Sequence, residues 1–282
     1  MLIEPVLSDD ALVADIESVD PGNGVALWWL GQSGFLIKHR TGRILLDPYL
    51  SDSLTRKYAE TEKPHVRMTR QVVDPSRLSN IDLVTSSHNH TDHLDAETLI
   101  PVLKANPKAK LIIPEANRTF VSQRLQMDAE WPVGLTEGQT EMIQGIQISA
   151  VPAAHNEIDR DGLGRCHYLG YVVQFNDCTI YHSGDTLRYP GMADLLRSWE
   201  IDIALLPING NRPERQVAGN LWGDEAAKLA ADCGAKVVIP CHYEMFQFNT
   251  ESPQLFTETC DSLRQAYQVL RCGQRWLYCR PT

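Results

Sequence analysis

Between Thr85 and Asp95 the chain reads TSSHNHTDHLD, placing three imidazoles and two carboxylates directly after the apolar run IDLV. Nitrogen and oxygen donors at this density suit divalent-metal chemistry, and more donors of the same type recur along the chain. Asp47 closes RILLD, His155 follows QISAVPAA, Asp185 follows CTIYHSG, and His242 follows KVVIPC. Each alone has an ordinary explanation. An Asp after a strand is commonly a turn or helix cap, and a lone His is commonly a satisfied core or surface group. Five such positions in order, one of them H-x-H-x-D-H, point together to a metal site.

Those donors need elements that aim them at one point, and the patterning supplies such elements. Residues 25–47 read as three short strands punctuated by Gly31, Gly34 and Gly42. IDLVTSSH is a strand, AETLIPVLKAN a helix and KAKLIIP a strand. TEMIQGIQISAVPA and HYLGYVVQFNDCTIYHSGD are hairpin-like, with GI and ND at the turns. The last third alternates helix PGMADLLRSW, strand DIALLPI, helix GDEAAKLAADCG, strand KVVIPCH, helix ESPQLFTETCDSLRQAYQVL and strand QRWLYC. Strand-rich at first and alternating later, the pattern predicts an α/β fold of two mixed sheets packed face to face, with helices outside. No repeat, low-complexity tract or long linker interrupts it, so residues 1–282 are expected to form a single domain.

HNHTDH, with Asp47 before it and His155, Asp185 in SGDT and His242 after it, resembles the metallo-β-lactamase superfamily, whose fold is a four-layer αβ/βα sandwich with a metal site along one edge. The match spans roughly residues 25 to 280, and the ordered five-part pattern is far more specific than a single short motif. WWLGQSGFLI, YHSGD and AKVVIPCHY look like the L-ascorbate-6-phosphate lactonase group. The superfamily resemblance implies that His88, His90 and His155 hold one ion, that Asp92, His93 and His242 hold a second, and that Asp185 bridges them. Asp47 is similar to the superfamily's buried aspartate that orients the histidine loop. The donors suit Mn, Zn or Fe, one or two divalent ions per chain; the lactonase resemblance leans to manganese and availability to zinc.

Two cations about 3.5–4 Å apart lower the pKa of a shared water towards neutrality, which makes the expected nucleophile a metal-activated hydroxide. Asp92 is the residue expected to orient it and to pass its proton to the leaving oxygen. The implied reaction is hydrolysis of a lactone of a phosphorylated sugar acid. A phosphodiesterase acting on a small or cyclic phosphodiester is the alternative within the superfamily. A non-catalytic metal-binding protein that retains the fold is the alternative of another class.

Bulk properties narrow the partners. A formal charge of −10 disfavours nucleic acid, whose backbone needs a concentrated basic face, but it permits a small anionic substrate. Neither a signal-peptide pattern nor a bilayer-length apolar run occurs, so a cytoplasmic protein without membrane partners is expected, with assembly into a homo-oligomer left open. Seven scattered cysteines without a C-x-x-C pair read as reduced thiols. Substrate selection is expected from the loop at residues 207–222, PINGNRPERQVAGNLW, which is long for a strand-to-helix connection. Arg212 is the first candidate for a phosphate contact, with Asn211 beside it and Arg188 after SGDT as the second choice.

Overall fold

The computed structural model describes residues 1–279. Strands β1 (Val25–Gly31), β2 (Gly34–His39) and β3 (Gly42–Leu46) form the predicted antiparallel meander, and Arg275–Tyr278 pairs on the outer edge of β1. On the other side of β3 lie β4 (Leu83–Thr85), β5 (Lys110–Pro114) and β6 (Val133–Leu135), all parallel to it. The second sheet follows the same logic. β7 (Thr140–Ile143), β8 (Ile146–Pro152), β9 (Leu169–Phe175) and β10 (Cys178–His182) run antiparallel in succession, and β11 (Ile203–Pro207) and β12 (Val237–Cys241) extend β10 in parallel. With the C-terminal strand as β13, the sheets hold seven and six strands, in the orders β13-β1-β2-β3-β4-β5-β6 and β12-β11-β10-β9-β8-β7.

Period-two alternation explains how the layers stack. In β1, Val25, Leu27 and Trp29 join the core shared with the second sheet, while Ala26, Trp28 and Leu30 join a separate core on the opposite face. That outer core takes Leu12 and Ile16 from α1 (Asp9–Ser18), Leu99 and Val102 from α3 (Ala96–Ala105), and Val121 and Leu125 from α4 (Arg118–Leu125). A short α2 (Ser53–Lys57) lies between β3 and β4 in the chain. Three helices serve the second sheet: α5 (Met192–Arg197) adds Met192 and Leu196, α6 (Gly223–Cys233) adds Leu229 and Ala230, and α7 (Gln254–Leu263) adds Phe256 and Cys260. At the start of α6 a Cβ on Gly223 would lie 2.8 Å from the Phe256 nitrogen, so α6 and α7 approach more closely than any larger residue allows. The result is the expected αβ/βα sandwich. Among the described residues there is no disulfide and no helix long and apolar enough to cross a membrane.

Two local expectations need correction. The final predicted helix ends at Leu263, where Arg264 turns left-handed at φ +57°. Beyond it the chain runs beside the edge strand β12: the Val238 N–H donates to Ala266 O at 3.0 Å, and Val238 O accepts from the Gln268 N–H at 3.0 Å. The unpaired polar groups of a sheet edge thus outweigh the helical periodicity of residues 264–270. In the first hairpin Ile143 pairs with Ile146, so the turn is Gln144-Gly145 and not Gly145-Ile146. Both turn residues have positive φ, which matches the twist of a two-residue hairpin loop.

Candidate metal centre

Strand direction sets the site. β1, β3, β4 and β5 point the same way in one sheet, and β8, β10, β11 and β12 do so in the other. Their C-terminal ends form one edge of the sandwich. Gln32 and Ser33 leave β1, Asp47 leaves β3, His88, His90, Asp92 and His93 follow β4, and His155, Asp185 and His242 follow β8, β10 and β12. Several exits need backbone that L-residues rarely adopt. Gln32, Asp47 and His242 sit at φ +50°, +38° and +64°. Gly184 sits at φ +59°, with Ser87 so close that a Cβ would approach its side chain to 2.6 Å.

These exits bring all seven predicted donors together. Asp185 lies at the centre: its Oδ1 is 3.3 Å from His93 Nε2, and its Oδ2 is 3.3 Å from His242 Nε2 and 3.7 Å from His155 Nε2. Asp92 Oδ2 lies 3.6 Å from His242 Nε2 and 3.8 Å from His93 Nε2. His90 Nδ1 lies 3.2 Å from His155 Nε2, and the His88 ring packs between those of His90 and His93 at 4.6 and 4.1 Å. Three overlapping groups, His88/His90/His155, His88/His93/Asp185 and Asp92/His93/His242, each have donor atoms within 4.8 Å of one another.

A buried carboxylate network holds the histidine loop. Asp47 is fully buried and accepts hydrogen bonds from Thr85 Oγ1 at 2.7 Å, from the Ser87 N–H at 3.1 Å, from the Ser87 hydroxyl and from His93 Nδ1 at 2.7 Å. Committing Nδ1 to that carboxylate leaves His93 Nε2 facing the other donors, the orientation a metal-binding imidazole requires. His155 is fixed similarly by Gly219 O, 3.0 Å from its Nδ1.

Electrostatics fits a divalent ion. Burial pushes His88 well below the ordinary histidine range, and it takes His155 down to about 4, so both stay neutral and able to donate a lone pair. Burial also opposes charge on His93 and His242, but the Asp185 and Asp92 carboxylates outweigh it. They hold His93 well above the usual range and His242 at about 9. Asp92 and Asp185 resist their burial through these same imidazoles and stay ionised. The two carboxylates thus favour positive charge at this point, which a divalent ion would also supply. His88 Nε2 and His93 Nε2 are buried without a hydrogen-bond partner among the described residues, and such orphaned nitrogens beside two carboxylates fit ligation.

His90, Asp92, His155, Asp185 and His242 line a cleft of about 550 Å³, a size suited to a small molecule. Its walls include several residues that sequence reasoning missed: Gln32, Lys57, Tyr58, His65, Phe120, Arg124, Tyr168, Phe246 and Phe248. Gln32 matters most for chemistry, because its Nε2 donates to Asp92 Oδ2 at 2.7 Å and lies 3.0 Å from His242 Nε2. Only its place in the LGQSG turn between two strands could have drawn notice.

The three expected substrate residues do not line this cleft. Arg212 is drawn away by Glu251, to which its Nε donates at 2.6 Å, and by the Trp222 ring 5.1 Å beneath it. Arg188 pairs with Asp232 at 2.5 Å, and exposed Asn211 packs against Gly219. From that loop, Gln216, Val217 and Ala218 reach the cleft instead.

An αβ/βα sandwich with a histidine–aspartate cluster at this edge defines the metallo-β-lactamase fold class. The chain belongs to the beta-lactamase superfamily, whose domain matches residues 42–243. A UPF0173 metal-dependent hydrolase of Methanopyrus kandleri is 30% identical, over 86% of this chain and 94% of that relative. One of Koribacter versatilis is 28% identical, over 90% of this chain and 98% of its own length. Among solved structures, a metallo hydrolase from Ignicoccus hospitalis superposes with a TM-score of 0.65 at 21% identity, covering 90% of this chain and 99% of its own, which supports the fold.

Proposed function

We propose that this protein is a metal-dependent hydrolase that opens a small anionic cyclic ester, with a lactone of a phosphorylated sugar acid, such as L-ascorbate 6-phosphate, as the substrate class to test first. The observation that carries the hydrolytic reading is Asp185, which faces His93, His155 and His242 within 3.7 Å at the floor of an open cleft. His88, His90 and His155 would hold one divalent ion and Asp92, His93 and His242 another, with Asp185 shared between them. Ions bound there supply Lewis acidity and a water acidic enough to attack at neutral pH.

The chain's own groups do the rest. Gln32 steers the Asp92 carboxylate by its 2.7 Å hydrogen bond, and the ionised Asp92 takes the proton of the attacking water and returns it to the leaving oxygen. His155 and His93 are held against rotation by Gly219 and Asp47, so the cluster is organised before substrate arrives. Lys57 and Arg124 bring positive charge to the walls, favouring an anionic ligand in a chain that is acidic overall.

The test is metal stoichiometry on the purified protein, followed by turnover of a panel of lactones and phosphodiesters with the best-bound ion. Lactone hydrolysis that stops on chelation and returns on reloading is the expected result. Turnover of phosphodiesters alone would move the reaction to phosphorus, and a folded, metal-loaded protein that turns over neither class would refute the proposal.

A further inference from the structure

Among the described residues most arginines have a carboxylate partner, including Arg188 on Asp232 and both Arg212 and Arg215 on Glu251. Arg124, Arg264 and Arg271 have none, and of these Arg264 and Arg271 are exposed. Arg124 is different. It is partly buried, lines the cleft, and has no carboxylate within ion-pair distance among the described residues, Asp95 acting on it only from further away. A guanidinium that gives up water without gaining an anion is unusual unless an anion arrives later.

The side chain is also fixed in place. Its Nη1 donates to Asn89 O at 2.7 Å and to Leu94 O at 3.4 Å, both on the loop that carries His90 and Asp92. The guanidinium carbon sits 4.5 Å from the Phe120 ring centroid, which supports the plane from below. Nε and Nη2 donate to nothing among the described residues. Those two N–H groups share one edge of the planar guanidinium, the edge that matches two oxygens of a phosphate or carboxylate.

We propose that the free Nε/Nη2 edge of Arg124 binds the phosphate arm of the substrate, so that Arg124, and not the loop arginines, determines anion specificity. This rests on the hydrolase reading above, in which the reacting bond lies over the Asp92 and Asp185 floor. The metal-loop carbonyls aim the fork and Phe120 limits its swing.

The test compares 3-phosphoglycerate with glycerate, hydroxy acids that differ by the phosphate, in calorimetric titrations of metal-loaded protein. Wild type is expected to bind the phosphorylated acid about tenfold to hundredfold more tightly. Arg124→Met should abolish that preference, and Arg124→Lys should keep only part of it, because an ammonium restores charge without the fork. Arg212→Met and Arg188→Met should leave the preference within about twofold of wild type. No preference in wild type, a preference that survives in Arg124→Met, or an equal loss for both acids would overturn the proposal, the last showing that Arg124 only braces the loop. Metal content is measured on every variant. If Arg124→Met loses metal, the comparison falls to Arg124→Lys, where full retention of the preference would overturn the proposal and partial retention would support it. Failure to hydrolyse lactones would sink the functional reading alone, since this binding comparison requires no turnover.

Discussion

Replacing Asp47 by asparagine tests whether the pocket behind His93 sets metal affinity. The carboxylate receives four kinds of donor: Thr85 Oγ1, the Ser87 N–H, the Ser87 hydroxyl and His93 Nδ1. An amide keeps one acceptor oxygen. If that oxygen takes the position facing His93, the 2.7 Å bond survives without its charge, and the amide nitrogen meets Thr85 Oγ1, whose hydroxyl can rotate to accept. The loss is then the difference between a charge-assisted and a neutral hydrogen bond, about 1–2 kcal/mol, or roughly five- to thirtyfold in affinity. The flipped amide fares worse. It would drive the His93 proton onto Nε2, the atom that faces the other donors. Competition against a chelator of known affinity should therefore show metal bound about tenfold more weakly by Asp47→Asn, within the range typical of groups that orient metal-binding histidines. An affinity within twofold of wild type, in a variant that is still folded, would refute the argument that this carboxylate prepares His93.

Asp92→Asn should lower kcat far more than it raises KM, because a proton carrier acts in the transition state; equal turnover by the variant and wild type in steady-state assays would count against it. Gly184→Ala should lower the melting temperature and weaken metal binding together, since the methyl group meets Ser87 in a left-handed backbone worth about 1–2 kcal/mol; thermal melts with and without metal read both effects. His39 is depressed below the usual histidine range, chiefly because burial outweighs its contact with Asp177. Its neutral form therefore favours the fold, and that contribution is complete above about pH 6.5 and declines as the pH falls towards the folded value. His39→Gln should flatten this part of the stability profile in urea melts at several pH values, and parallel profiles for the two proteins would contradict it.

Much of the donor set was legible because strand ends carry it. β1 to β5 and β8 to β12 lie where alternating or continuous apolar runs predict, and the metal-type residues punctuate their exits. What escaped depends on partners far away in sequence. Gln32 looks like any turn residue until Asp92, sixty positions on, is seen to accept its amide. Arg124 sits in a helix whose short sequence RTFVSQRL gives little hint of burial, and its worth comes from carbonyls at Asn89 and Leu94. Arg212 and Arg188 stood out as cations in a long loop and after the SGDT turn, but Glu251 and Asp232 neutralise them, and neither acid lies nearby in the chain. Charge in a sequence shows what could bind an anion; only the fold shows which cation is still available.

The positive φ angles at Asp47 and His242 have an evolutionary consequence. Each holds a side chain at a backbone geometry that glycine would occupy with about 1 kcal/mol less strain. In random libraries of this protein sorted only by melting temperature, glycine at positions 47 and 242 should nonetheless be rare, because it would leave the buried donors around Asp47 and the carboxylates beside His242 without partners, a larger cost than the strain relieved. A sort that also demands metal retention should hold both positions fixed and find its gains elsewhere, in surface loops and caps. Heat tolerance in either lineage would rise by routes that leave these two strand exits untouched, since the fold and the metal centre draw on the same side chains there.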